Sequence, residues 1–202
     1  MKSVLISTRP KLVEKICHKI GEDETGKAIY EKRIEVRKTA PKEVPFKCYI
    51  YETKGQYVKF THGAHTKYGY GRGKVIGAFI CDRIEMVNAK CSNYGIDLFY
   101  HDCLTNGCLT EREIEKYFNV PEDRDLRAMK GNGYVWNISD LKIYDKPKEL
   151  SEFRKPCPYG DLPCWICPSC DKDENDNLIQ CFNTVSRPPQ SWQYIEDLGE
   201  EE

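Results

Sequence analysis

Apolar residues recur along the first half of the chain in two rhythms. "SVLIS" (Ser3–Ser7) and "FKCYIYET" (Phe46–Thr53) are short runs of apolar, aromatic and β-branched residues, and they read as strands. "RPKLVEKICHKI" (Arg9–Ile20) instead places Leu12, Ile16 and Ile20 four apart behind a proline. That spacing predicts a helix packed by one stripe and ended at Gly21. In "YEKRIEVRKTAPK" (Tyr30–Lys42), charge and hydrophobe alternate. Side chains of a strand point to opposite faces in turn, so Ile34 and Val36 fall on one face and Arg33, Glu35 and Arg37 on the other. The apolar pair predicts a core face. The charged set predicts a surface, a cleft wall or a binding groove.

The pattern continues with "KVIGAFICDRI", a strand holding Gly77, and a glycine inside a strand often marks a bulge or a bend. "TEREIEKYF" predicts a second helix, with Thr110 and Glu113 at capping-box spacing. "GYVWNI" and "LKIY" are the last strands before the polar, proline-containing "DKPKELSEFRKP". Several strands, few helices and one bent strand predict a small curled sheet or barrel of α+β class. From Pro156 the composition turns to Pro, Cys, Asp and Asn and ends in an acidic run. Residues 1–155 therefore read as the domain, and 156–202 as a cysteine-rich appendage.

Charge changes this picture. Residues 1–90 carry 19 Lys and Arg against 10 Asp and Glu, or +9, and the remaining 12 against 22 give −10 for a net of −1. A basic half suggests an anionic partner such as nucleic acid, and attraction between the two halves within the fold explains the same numbers. No window is apolar enough to span a bilayer, and the N-terminal run is too short for a signal-peptide core. The chain is expected to be cytoplasmic, with no membrane partner.

Six of the 11 cysteines lie between Cys17 and Cys108 and read as small buried hydrophobes. The other five are Cys157, Cys164, Cys167, Cys170 and Cys181. Closely spaced thiolates in a reducing compartment, on a segment with little core of its own, suit a structural zinc ion. Cys164, Cys167, Cys170 and Cys181 are the expected ligands, with Cys157 as the alternative. Free thiols that pack the segment are the competing reading, and a redox or iron–sulfur role follows behind.

"YVKFTHGAHTKYGYGRGK" (Tyr57–Lys74) interleaves Tyr68 and Tyr70 with Lys59, Lys67 and Arg72 and reads as a glycine-rich flexible loop. Its rings suit stacking on unpaired bases and its cations suit phosphate; a hairpin tip covering the domain is the plainer alternative. His62 and His65 are a weak metal or acid–base pair, and His101, Cys103 and Cys108 favour ordinary structural roles.

A short strand, a helix starting near "RPK", and then Lys32, Glu35 and Arg37 resemble the ASCH domain, a branch of the PUA-like superfamily. Its signature runs glycine, any residue, lysine, any two, glutamate, any residue, arginine; Tyr30 stands in the glycine's place. "GKVIGAF" and "GYVWNISDLKIYDKPKELSEF" are similar to the central and closing strands of ASCH proteins common in bacterial and phage genomes. The resemblance implies a β-barrel with flanking helices and a cleft beside the first helix. Lys32, Glu35, Arg37 and Lys38 would line that cleft. It implies RNA or a modified nucleobase as partner. Some ASCH members are similar to amidohydrolases acting on acetylated cytidine or to ribonucleases, which makes Lys32 and Glu35 the general acid–base candidates if the chain is an enzyme. In the amidohydrolase branch a threonine stands where this chain has Glu35. An interaction protein binding a host factor through the acidic half is the third reading.

Overall fold

The computed structural model describes residues 2–62, 65–120, 128–129, 131–159, 166–175 and 178–197. A five-stranded sheet forms its centre. β1 (Lys2–Thr8) pairs in parallel with β5 (Phe46–Glu52), and β8 (Val75–Cys81) joins β5 antiparallel. β11 (Ser139–Lys148) and β14 (Trp192–Ile195) form the edges, giving the order β11-β8-β5-β1-β14. A smaller sheet holds β4 (Ile34–Arg37), β10 (Asn132–Asn137) and β9 (Ile84–Asn88) in the order β4-β10-β9. Among the described residues, three α-helices flank the sheets: α1 (Pro10–Cys17), α2 (Asn93–Thr105) and α3 (Glu111–Phe118). The class is α+β, as the sequence predicts, although hydrogen bonding among the described strands does not close the sheets into one cylinder.

Strand alternation sorts the core into layers. On β1 the residues Val4 and Ile6 face the cluster shared with Val13 and Ile16 of α1, and Leu5 faces the opposite cluster with Tyr49 and Phe153. β8 breaks this rule. Ile50 lies opposite Gly77 but Tyr51 lies opposite Val75, so Ile76 is one residue too many. The bulge shifts the phase, and Ile76 and Phe79, three apart, reach the same cluster. Gly77 permits the local fit, since a Cβ there would stand 2.4 Å from the Lys142 carbonyl oxygen.

The helices keep most of their predicted boundaries. α1 has proline in its first turn and buries Leu12, Val13 and Ile16, but it ends at Cys17 rather than at Gly21. Lys19–Glu22 (β2) leaves the helix to pair with Ala28–Tyr30 (β3), which leaves Ile20 exposed. α3 begins in the capping box read from the sequence: Thr110 Oγ1 accepts from the Glu113 N–H at 3.3 Å, and the Glu113 carboxylate accepts from the Thr110 N–H at 3.0 Å. α2 packs Ile96, Phe99 and Cys103 with Ile114 and Phe118 of α3 and with Ile34 and Val36 of β4.

One expectation needs correction. The Tyr57–Lys74 stretch is a β-hairpin, β6 (Gly55–His62) and β7 (His65–Gly71), rather than a flexible loop. Its glycines make room: a Cβ on Gly69 would meet the Tyr57 ring at 2.5 Å, and one on Gly71 would meet the Thr53 carbonyl oxygen at 1.9 Å. Within residues 156–202, β12 (Asp171–Lys172) pairs with β13 (Leu178–Gln180), and β14 completes the central sheet along β1. On the way back, the Lys155 N–H donates to the Asn183 carbonyl, the Val185 N–H to Phe153 and the Glu196 N–H to Arg154. Phe153, Val185 and Ile195 then share one buried cluster.

Candidate functional site

β4 explains the alternation that the sequence leaves open. Ile34 and Val36 join the α2–α3 cluster, yet Glu35 and Arg37 are buried as well. Glu35 lies opposite Trp136, and Arg37 opposite Tyr134, across the β4–β10 ladder. Residues opposite one another share a face. Trp136 is fully buried and meets Phe46 of the central sheet at 5.3 Å, so the charged face of β4 looks into the space between the two sheets. Arg33 precedes the strand and is exposed, and so does not belong to this face.

Lys32 is only 1% exposed. Its ammonium donates to the Ile34 carbonyl, to the Gly107 carbonyl at 3.1 Å, and lies 3.3 Å from Glu35 Oε2. Glu35 Oε1 meets Arg37 Nη2 at 2.8 Å. Arg37 in turn donates from Nη2 to the Ser7 carbonyl at 3.0 Å and from Nη1 to the Ser191 carbonyl at 3.1 Å. The guanidinium thus ties β4 to the end of β1 and to the entry of β14, while Lys32 ties it to the α2–α3 connection. Burial pushes the Glu35 carboxyl up, but Lys32 and Arg37 more than reverse this and hold it below its ordinary value. The same arginine and glutamate act on Cys48, whose thiol is pushed well above its ordinary range, chiefly by burial.

This charged group forms the floor of a cavity of about 450 Å³ between α1 and α3. Thr8 joins them at the floor, and Arg9, Leu12, Lys38, Glu113, Lys116 and Tyr117 supply the walls and mouth. Arg9 meets Glu113 at 3.0 Å across the two helices, and the Lys38 ammonium stands 5.1 Å from the centre of the Tyr117 ring. Three buried polar atoms here lack a hydrogen-bond partner: Thr8 Oγ1, Glu35 Oε2 and Arg37 Nε. One acceptor, one donor and one hydroxyl of residues that line the cavity are therefore without a hydrogen bond, although Glu35 Oε2 keeps its 3.3 Å ion pair with Lys32. Buried polar groups are nearly always paired, so such a set is a feature of a site more often than of a core.

Of the residues singled out in the sequence, Lys32, Glu35, Arg37 and Lys38 meet at this cavity. Lys59 and Arg72 do not. They line a second, open cavity of about 550 Å³ on the far side of α1, with Lys11, Lys15, His18 and Tyr57. There Arg72 pairs with Glu52 at 3.4 Å and Lys59 with Glu14 at 3.3 Å, so both cations are partly neutralised. Tyr68 and Tyr70 stand exposed on β7 beside Lys67, and these three line neither cavity. Thr8, Arg9, Glu113, Lys116 and Tyr117 were not evident as site residues. They lie far apart in sequence, and the capping role of Glu113 hides its second position at the mouth. Cys164 and the side chains of His62 and His65 lie outside the described residues. None of the cysteines Cys157, Cys167, Cys170 and Cys181 is in a disulfide.

No family model matches the chain, and no curated protein matches it either. Among solved structures it is similar to an ASCH protein from Zymomonas mobilis, at 17% identity over 74% of each chain with a TM-score of 0.43. A point mutant of that protein aligns over 96% of this chain and 89% of its own, at 15% identity and a TM-score of 0.49. The N-terminal domain of Staphylothermus marinus McrB is also similar, at 10% identity, 74% and 77% coverage and a TM-score of 0.34. The structural neighbours thus include ASCH proteins.

Proposed function

We propose that the cavity between α1 and α3 binds a nucleobase, plain or modified, presented by a nucleoside or by single-stranded RNA. The observation that carries this reading is the set without hydrogen bonds at the floor: Glu35 Oε2, Arg37 Nε and Thr8 Oγ1, held by a charge network that is itself buried. A carboxylate accepts from an exocyclic amino group, and a guanidinium N–H or a hydroxyl serves a ring nitrogen or carbonyl. Tyr117 at the wall offers a ring for stacking. Lys38 and Lys116 at the mouth suit the phosphates that flank a base.

Binding is favoured over hydrolysis by the state of Lys32. The Ile34 and Gly107 carbonyls accept from its ammonium and the Glu35 carboxylate faces it at 3.3 Å, which leaves it no free role as a general acid or base. Glu35, held ionised between two cations, is a fixed acceptor. The test is a panel of unmodified and acetylated nucleosides and short single-stranded RNAs, followed for both retention and turnover. Retention without turnover is expected, weakened about 10-fold or more by Tyr117→Ala, and for RNA also by Lys38→Ala with a steep salt dependence. Turnover at many cycles per protein, abolished in a folded Glu35→Gln protein, would replace binding with hydrolysis.

A further inference from the structure

Five cations and two carboxylates line the cavity between α1 and α3. Both carboxylates are already engaged. At the floor, Glu35 is shared by Lys32 at 3.3 Å and Arg37 at 2.8 Å. At the mouth, one oxygen of Glu113 accepts from the Thr110 N–H and hydroxyl at 3.0 Å each, and the other meets Arg9 at 3.0 Å. That leaves Lys38 and Lys116, both exposed, and among the described residues neither lies within ion-pair reach of a carboxylate. A neutral nucleobase answers none of this charge. Two ammonium groups match the charge of about −2 that a phosphomonoester carries at neutral pH, or that of two successive phosphodiesters. The size agrees, because about 450 Å³ falls in the range that encloses a whole small ligand rather than a ring alone.

Lys38 also bears on the ring that would stack on the base. Its ammonium stands over Tyr117, 5.1 Å from the ring centre, so a cation covers that ring. An ammonium over an aromatic face is held weakly at an exposed position. A phosphate oxygen carries charge and holds the same ammonium more firmly. The base of the side chain is fixed, since Lys38 directly follows Arg37, which is tied to the Ser7 and Ser191 carbonyls. From that point the flexible lysine stem can carry the ammonium off the ring without disturbing β4.

We propose that the ligand of this cavity brings its own phosphate: a nucleotide, free or within single-stranded RNA, is bound in preference to the matching nucleoside, and Lys38 and Lys116 select it. Lys38 acts twice. Drawn to the phosphate, its ammonium leaves Tyr117 and clears the ring for the base. A nucleoside has to displace the same ammonium and offers it no anion in exchange. The phosphate preference presupposes that the cavity takes the base, and it narrows the ligand class to the phosphorylated forms.

Equilibrium binding to the full chain tests this with adenosine, guanosine, uridine, cytidine and acetylated cytidine, their 5′- and 3′-monophosphates, and short single-stranded RNAs containing each. The monophosphates and the RNAs separate a terminal phosphate from a chain phosphate. For the base retained best, a phosphate form should bind about 10-fold or more tightly than its nucleoside at about 50 mM salt, with the gap narrowing at about 500 mM. Lys38→Ala should change the two affinities in opposite directions. It clears the ring and should raise nucleoside affinity about 2- to 5-fold, while affinity for the phosphate form falls and the preference collapses about 10-fold. Lys38→Arg keeps a cation in place and should keep the preference, and Lys116→Ala should narrow it. Equal affinity for nucleoside and phosphate forms, or an equal loss of both in Lys38→Ala, would overturn the phosphate assignment and leave base binding standing. Failure of the wild-type chain to retain any of these probes would sink the base-binding reading, and the phosphate preference with it.

Discussion

Replacing Glu35 by glutamine removes one negative charge from the space between the two sheets and changes little else. The carboxylate is 6% exposed and stands 2.8 Å from Arg37 Nη2 and 3.3 Å from the Lys32 ammonium. At an effective dielectric of about 20, those contacts correspond to gross attractions of about 6 and about 5 kcal/mol. Desolvation offsets most of that sum, so the net value of the network is far smaller. The substitution, however, leaves two buried cations facing a neutral amide. Removing one partner of a buried ion pair costs about 3–5 kcal/mol, and glutamine, which keeps the shape and one acceptor, should fall near the lower end. Urea unfolding of Glu35→Gln at pH 7 is therefore expected to show a loss of about 3 kcal/mol with an unchanged slope. The pH dependence gives a second check. A carboxyl held below its ordinary value contributes stability that is complete above the unfolded pKa of about 4.3 and is lost as pH falls through the lower folded value. The gap between wild type and variant should thus be full at pH 7 and shrink only below about pH 4. A loss under about 1 kcal/mol at pH 7 would mean that water reaches the network, and would refute the buried-charge reasoning.

Other consequences follow from the same structure. Gly71→Ala places a methyl group against the Thr53 carbonyl and the Pro10 ring, and should lower stability by about 1–3 kcal/mol in thermal unfolding. Thr110→Ala removes the capping-box hydroxyl of α3 and should cost about 1 kcal/mol, seen as a lower urea midpoint. Burial pushes the Cys48 thiol well above its ordinary range, and those of Cys81 and Cys103 up to about 12. Mass spectrometry after brief alkylation at pH 8 should find these three unmodified in the folded protein and all three labelled in urea.

Much of this fold is legible in the sequence, and the exceptions have physical causes. β5, β8 and β10 show because aromatic and β-branched residues fill both faces of buried strands. α3 shows through its cap. α2 carries a usable pattern, since Ser92 caps it and Ile96, Phe99 and Cys103 share a face, but Gly95 and the interspersed tyrosines blur its period. β14 has only four residues and sits at a sheet edge behind prolines, so neither length nor alternation announces it. Alternation in β4 correctly separates Ile34 and Val36 from Glu35 and Arg37. It does not reveal that both faces are buried, because that depends on Trp136 reaching across from β10 to Phe46. The cavity mouth is harder still: Arg9, Glu113 and Tyr117 meet only because α1 and α3 converge there, a property of topology rather than of any local motif.

The central claim is that the floor formed by Thr8, Glu35 and Arg37 receives a base. The most direct measurement is the backbone and side-chain NMR spectrum of the full chain, titrated with the nucleoside or short RNA that the panel retains best. The account predicts that the largest saturable shifts fall on Thr8, on Arg37 Nε and on Tyr117, with the β7 tyrosines Tyr68 and Tyr70 far less affected. Saturable shifts confined to Tyr68, Tyr70 and their strand, with Arg37 Nε unmoved, would contradict it.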